Sequence, residues 1–443
     1  SPRLGFNYDI TGDRKIQVRG GTGLFTGRPA FVWISNQIGN NGVITGFDDI
    51  TNTTTRPFNP NPTTFIPAVP SLPSSYELAV TDPDFKFPQV WRSNIATDVK
   101  LPYDLVGTLE FIYNKEVNGI GYFNANLPAP TSNLIGADTR PRYSTQRINA
   151  NVVNAVTLDN SNNGHSYSFA ASLEKPLTKG LFAKASYAYG ESMNTIDAGS
   201  IASGSYNNNP ISIDPNNSPL GFSSNDQRHR FITSVSYRYE YGKIGSSQIS
   251  IFFEGRNQGR FSYIYSNDLN GDLNTNDLLY IPRDMSEMNF QTYTPTGAAA
   301  AYTAAEQAAD YEAYIQQDEY LNSRRGKYAE RNGVVLPWIW QADLNFTQDF
   351  HINVGGKKNT IQFTANILNI GNLINNKWGV GNLATNSRPV RVQSVTADVP
   401  LYRLNVKGVL SDGTIDKYNE TFTKSAGITD VWSAQFGIRY IFN

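Results

Sequence analysis

The chain contains no cysteine in its 443 residues, which excludes both a disulfide framework and a thiolate metal site. Histidine is almost as scarce. His165, His229 and His351 lie in separate segments without an H-E-x-x-H pair, so no zinc site is predicted. Charge is low, at 17% of residues against 39% hydrophobic, and the formal net charge is -1 with no block of one sign. Nothing in that balance attracts nucleic acid, and no nucleic-acid partner is expected. No apolar run reaches the ~18 residues of a membrane-crossing helix, and no charged-then-apolar leader opens the chain. There is no G-x-S-x-G nucleophile elbow, and the glycines of "GGTG" and "VGGKKN" lack dinucleotide or Walker spacing before a helix. No catalytic residue is assigned, and the chain is not expected to be an enzyme.

What the sequence has in quantity is Tyr (25), Phe (24) and Gly (36), the balance of a β-rich protein. Apolar residues alternate with polar ones in segments of roughly ten residues. In "LVGTLEFIYN", Leu105, Leu109, Phe111 and Tyr113 share one face, and Thr108, Glu110 and Asn114 the other. The same division runs through "FITSVSYRYEY", "WIWQADLNFTQDF", "TIQFTANI" and the closing "WSAQFGIRYIFN". A soluble sandwich also alternates, so connection length has to discriminate. Tight turns at "TGDR", "PYD", "TKG", "YGK" and "NVGGKKN" take turns with long polar connections at 25–90, 116–163, 191–225, 257–334 and 371–430. Short turns on one rim and long loops on the other are the pattern of a transmembrane β-barrel. Trp91, Tyr113, Tyr187, Tyr189, Tyr239, Tyr241, Trp338, Trp340 and Tyr440 fall near strand ends, where a barrel carries interfacial girdles.

The fold class predicted is all-β, an antiparallel transmembrane β-barrel. About eleven strands are placed near 2–10, 15–25, 91–101, 104–115, 164–175, 180–190, 227–241, 246–256, 335–350, 358–370 and 431–442. Open sheet edges are not tolerated in lipid, so these strands must close against a further portion of barrel. The opening "SPRLGFNYDI" already reads as a strand, and residues 1–443 are taken as the C-terminal part of something longer.

Three segments, "IQVRGGTGLFTGRPAFVWISNQ", "YIQQDEYLNSRRGKYAERNGVVLPWIWQADLNF" and "FTANILNIGNLINNKWG", resemble the C-terminal barrel region of TonB-dependent outer-membrane receptors. The nearest likeness is to the Bacteroidota group with a carboxypeptidase-regulatory-like N-terminal domain, the Oar-like receptors. The resemblance implies a 22-stranded barrel with an N-terminal plug, of which this chain would be the second half. It implies a Gram-negative outer membrane, contact with outer-membrane lipid, and TonB as partner through an upstream region. SusC-type relatives add a surface lipoprotein, and that or another outer-membrane subunit is a further partner class, although "SRRGKYAERNG" is more Oar-like than SusC-like. The closing strand resembles an outer-membrane insertion signal, with Phe442 followed by Asn443. Import of a large nutrient such as a peptide or oligosaccharide is the function implied. A non-transporting outer-membrane anchor or secretion-associated barrel is the alternative, and a soluble β-module that needs no detergent is a weaker one.

Two stretches offer site residues. "SNDLNGDLNTNDLLYIPRD" sets Asp268, Asn270, Asp272, Asn274 and Asp277 close together, and alternating Asp and Asn oxygens suit Ca²⁺. The spacing begins as D-x-N-x-D but has Leu273 at position six and Leu279 at position twelve, and the alternative is a polar turn held by Asx hydrogen bonds. In "GRPAFVWISNQ", Arg28, Phe31, Trp33, Asn36 and Gln37 offer aromatic stacking and amide hydrogen bonds to a ligand. Residues 303–326 read as a loop helix with a Thr303/Glu306 capping box, a stop at Gly326 and an inward stripe of Tyr311, Tyr314, Ile315 and Leu321. Such a helix would either cover the barrel mouth or pack on neighbouring loops. The proline-rich stretch 53–76 suits neither helix nor strand interior.

Overall fold

Alternation of period two commits a segment to a strand with two unlike faces, and the backbone follows it. The computed structural model describes residues 2–42, 54–61, 63–66, 68 and 75–442. Eleven strands pair in chain order: β1 (Arg3–Asp9), β2 (Ile16–Thr26), β3 (Gln89–Leu101), β4 (Leu105–Asn124), β5 (His165–Thr178), β6 (Leu181–Asn194), β7 (His229–Glu240), β8 (Gly245–Asn257), β9 (Trp338–Val354), β10 (Lys357–Leu368) and β11 (Ser433–Ile441). Each is antiparallel to the next, and β1 and β11 are the two edges of an open sheet. These are the eleven segments that the sequence predicts. Of the proline-rich stretch 53–76, residues 53, 62, 67 and 69–74 lie outside the described residues.

Register keeps like with like across the sheet. Val235, Ile251, Leu344, Ile367 and Ala434 face one another in turn across β7 to β11. One step along, the row is Ser236, Ser250, Asn345, Asn366 and Gln435. The apolar rows remain exposed, with Ile251 at 46% and Phe436 at 76%. No second sheet covers them among the described residues, as a sandwich would require. The opposite face carries cross-strand ion pairs: Arg19 to Asp98 at 3.0 Å, Lys184 to Glu174 at 2.9 Å, Arg230 to Glu254 at 2.8 Å and Arg238 to Asp349 at 3.0 Å. A packed core would not hold these charges, so this face is wet.

Aromatic side chains bound the apolar band at both ends. On the long-loop side the rings of Trp338 and Trp340 stack 5.0 Å apart, and His229 stacks on Trp338 at 5.6 Å. Gly255, opposite Trp340, leaves the space its ring occupies, since a Cβ there would come within 2.0 Å of it. On the short-turn side Tyr239 meets Tyr241 at 5.4 Å and Tyr440 meets Phe442 at 6.1 Å. Trp340 and Phe350 lie on the same strand and face, and at ~3.3 Å per residue with a tilt of ~40° their separation spans an apolar band of ~25 Å. His229 therefore sits in the rim structure, with Tyr187 Oη 2.6 Å from its Nδ1.

The connections alternate as predicted, with one difference. β4 continues past residue 115 to Asn124, and its end pairs with Val152–Ser161, which in turn pairs in parallel with Tyr76–Thr81. The loops thus extend the sheet beyond the apolar band, because the Val156 and Leu158 side chains find a core of their own there.

The two faces make opposite demands on charge. Ile251→Arg on the apolar face should cost about 2–4 kcal/mol of folding stability in a bilayer. Its neighbour Ser250→Arg, on the polar face, should cost less than about 1 kcal/mol. Denaturant titration of both variants in lipid vesicles measures the difference, and equal costs would reject this assignment of faces.

Candidate functional site

The long connections fold against one another into two buried clusters. The larger unites residues 258–337 with 369–432. Helix α2 (Ala304–Gln317) supplies its centre, started by Thr303, whose Oγ1 accepts the Glu306 N–H at 3.2 Å while Glu306 accepts the Thr303 N–H at 2.9 Å. The helix does not run to residue 326. It breaks at Asp318, and α3 (Glu319–Ser323) begins there, because Asp318 caps α3 by accepting the Leu321 N–H at 2.8 Å. The same carboxylate accepts hydrogen bonds from Tyr263 at 2.6 Å and Thr421 at 2.7 Å, a use of Asp318 incompatible with a continuous helix. Tyr311, Tyr314, Ile315 and Leu321 are all buried, against Tyr263, Leu279, Phe290 and Tyr402. The helix is therefore packed on its neighbouring loops.

The smaller cluster draws Trp33, Tyr122, Val156, Leu158, Ile196 and Tyr206 from three other loops. Here the residues 28–37 take up their positions, and most are used structurally. They form helix α1 (Phe31–Gly39), not an irregular loop. Trp33 is buried and donates its ring N–H to Ala198 O at 3.2 Å, and Asn36 is buried with its side-chain oxygen accepting the Ala202 N–H at 2.8 Å. Gln37 donates to Thr81. Trp33 and Asn36 hold loops together from buried positions, while Gln37 stays half-buried at the surface. Only Arg28 and Phe31, the latter 79% exposed, remain free of such duties at the surface.

Buried arginines join the loops. Arg140 is 1% exposed; its guanidinium meets Asp138 at 2.9 Å and Asp277 at 3.0 Å, donates to Leu278 O at 2.6 Å, and lies over the rings of Tyr265 and Tyr328. Burial works against its charge, but Asp138 and Asp277 outweigh this and raise its pKa. Arg331 reaches across to Asn194 Oδ1 at 2.6 Å and Gly221 O at 3.1 Å, and Arg260 binds Asp226 at 2.7 Å. Sequence reading missed all of these. "ADTRPRY" does hold Asp138 and Arg140 two residues apart, a signal shared by any exposed loop pair.

Asp277, expected beside Asp268 and Asp272, stays against that loop, its Oδ2 accepting the N–H of Leu269 at 2.8 Å and of Asn270 at 3.3 Å, while its Oδ1 pairs with Arg140 at 3.0 Å. Burial pushes Asp277 up to about 6 despite Arg140, and burial together with the charge of Asp277 pushes Asp268 up to about 6. Burial, followed by Asp268, also raises Asp272. Among the described residues no three acidic or histidine side chains come together as a metal cluster.

Two polar clefts flank residues 195–218. One, of about 420 Å³, is lined by Asn118, Tyr122, Asp159, Asn162, Asn163 and Asn217; the other, of about 660 Å³, by Asp197, Ser200, Asn208, Asn209, Asn225 and Asn332. In the first, the exposed side chains of Asn162, Asn163 and Asn217 make no hydrogen bond among the described residues, so their amides are free. Amides beside an aromatic ring suit a ligand rich in hydroxyl or peptide groups. No sequence pattern marks this site, because its walls come from three separate loops.

Removing Arg140 would strand two buried carboxylates. Arg140→Gln should destabilise the loop assembly by about 3–5 kcal/mol while the sheet persists. Hydrogen exchange should then show lost protection at 132–143 and 264–282 and unchanged protection in β7 to β10.

No curated protein matches the chain. Among solved structures it is similar to the outer membrane transporter YddB from Escherichia coli, at 10% identity and a TM-score of 0.46, over 98% of this chain and 40% of that one. The chain therefore spans less than half the length of that protein. The family model of the outer membrane beta barrel domain matches residues 1–393. The two-faced sheet with its aromatic rims thus stands in an outer membrane, and the chain belongs to the outer membrane beta barrel domain family.

Proposed function

We propose that this chain is the C-terminal barrel portion of a TonB-dependent receptor, of the Oar-like Bacteroidota kind, that captures and imports a large nutrient such as a peptide or oligosaccharide. The observation that carries the reading is the cleft of about 420 Å³ with free Asn162, Asn163 and Asn217 amides, at the long-loop end of the sheet. Free amides arranged around Tyr122 match the hydroxyls or peptide groups of such a ligand. In this reading coupling to TonB runs through a plug and TonB box carried upstream, and the three segments of this chain support the reading only through their likeness to the receptor family. Eleven strands with two open edges would close against the strands of that upstream portion, since unpaired backbone groups are costly in lipid. Lumen polarity then supplies the route, and the ion-paired face the hydrated wall. No bond of the cargo is broken. The protein's part is to bind, and release follows when the plug is pulled.

The test is uptake of labelled oligopeptides and oligosaccharides by cells that express the full-length gene, with and without TonB. Uptake of one class that requires both is expected. Asn162→Ala with Asn217→Ala should remove two hydrogen bonds, about 1–3 kcal/mol, and weaken capture by roughly five- to a hundredfold without loss of folding. Cells that take up neither class, but in which the protein holds a stable surface complex, would instead support a non-transporting anchor.

A further inference from the structure

Asp277 belongs to Arg140, but the residues just before it carry a second arrangement. Asp268 accepts the N–H of Gly271 at 2.6 Å through one oxygen and that of Leu273 at 2.9 Å through the other. Asn270 accepts the Asp272 N–H at 2.8 Å, and Asp272 Oδ1 accepts the Asn274 N–H at 2.8 Å. The side chains at positions one, three and five therefore fold inward over their own backbone. Leu273 adopts φ +70°, the left-handed turn that glycine would more readily make at position six, so the loop has closed despite its leucine. By itself this is an Asx-rich turn.

What points to a ligand is what stays unpaired. Asp272 is 0% exposed, and no donor stands within hydrogen-bond geometry of its Oδ2, although the Asn274 and Asn270 side chains lie near enough to favour its charged form. Arg147 donates to the main-chain oxygen of Asp272, at 2.9 Å, and acts on the carboxylate through its charge alone, without a hydrogen bond. Asn274 Nδ2 and Asn276 Oδ1 are likewise buried and unpartnered, so three orphaned polar atoms fall within five residues. A buried carboxylate oxygen without a donor carries a heavy desolvation penalty unless a cation meets it. The orphaned amide at Asn274 is resolved by the same cation, since exchanging its oxygen and nitrogen turns an acceptor toward the site.

We propose that residues 268–276 form a Ca²⁺ site, with side-chain oxygens of Asp268, Asn270 and Asp272 as its principal ligands and Asn274 and Asn276 completing it. Ca²⁺ takes six to eight oxygens in flexible geometry, whereas Mg²⁺ demands a near-ideal octahedron and favours water, so this mixture of carboxylates and amides selects the larger ion. Occupancy would also reach the ligand clefts. Asn276 donates to Asn209 O at 2.7 Å and accepts the Ile211 N–H at 3.0 Å, and Asn209 lines the cleft of about 660 Å³. The ion would thus fix one wall of that cleft.

The test uses the full-length protein, purified in detergent and stripped with a chelator. Calorimetric titration with Ca²⁺ should show binding at millimolar concentration or below, and Ca²⁺ should slow protease cleavage within 264–282. Asp272→Asn and Asn270→Ala should each weaken binding at least tenfold, while Asp412→Asn, in an exposed turn, should leave it unchanged. In the absence of Ca²⁺ the sign reverses: Asp272→Asn should resist the protease better than the parent, because it removes an unpaired buried charge. If Asp272→Asn does not fold, Asn270→Ala decides alone. Absence of Ca²⁺ binding up to about 10 mM, well above the range of extracellular modules, or parental affinity in Asn270→Ala, would overturn the proposal.

Discussion

Parity is the constraint on which this structure rests. Side chains on a strand alternate with a period of two, so a slip of one residue in any of ten pairings would carry every apolar residue beyond it to the wet face. The rows from Val235 to Ala434 and from Ser236 to Gln435 show the outcome, with no exchange between faces across five strands. Lipid enforces it from one side, because a charge there costs kilocalories, and water from the other, because Arg19, Lys184, Arg230 and Arg238 must keep their partners hydrated. The tight turns set where parity starts for each hairpin, and the aromatic rims set where it ends.

Beyond the membrane band that constraint lapses, and a different one organises the loops. No lipid is there to sort side chains, so the long connections bury apolar surface against one another in two clusters. Arg140, Arg260 and Arg331 then join segments far apart in sequence through buried charge and main-chain carbonyls. Such pairs contribute little net stability but are costly to break, so they fix one arrangement of the loops against others. The clefts with free amides exist because that arrangement is fixed. The Asp272 Oδ2 stands out against it, as an oxygen to which the loop network brings no hydrogen-bond donor.

The fold was readable because it follows from local pattern. Alternation placed all eleven strands, and the contrast of turn and loop lengths placed the two rims; both signals lie within tens of residues. The capping box at Thr303 was equally local and is present. The helix break at Asp318 was not readable, since it depends on Tyr263 and Thr421, which lie 55 and 103 residues away. The same holds for the candidate site. Trp33 and Asn36 have the composition of ligand-binding residues, yet neighbours from another loop claim them.

By itself, then, the sequence determined the strands, their faces and the membrane they suit, because periodicity and turn chemistry act between near neighbours. Only the tertiary structure decided which polar side chains are spent and which remain free. Asp277 and Asp272 illustrate this: they are five residues apart and similar in every local respect, but Arg140, from another loop, reaches one and leaves an oxygen of the other without a partner. A buried charge takes its meaning from what lies next to it in space, and spacing along the chain does not reveal that.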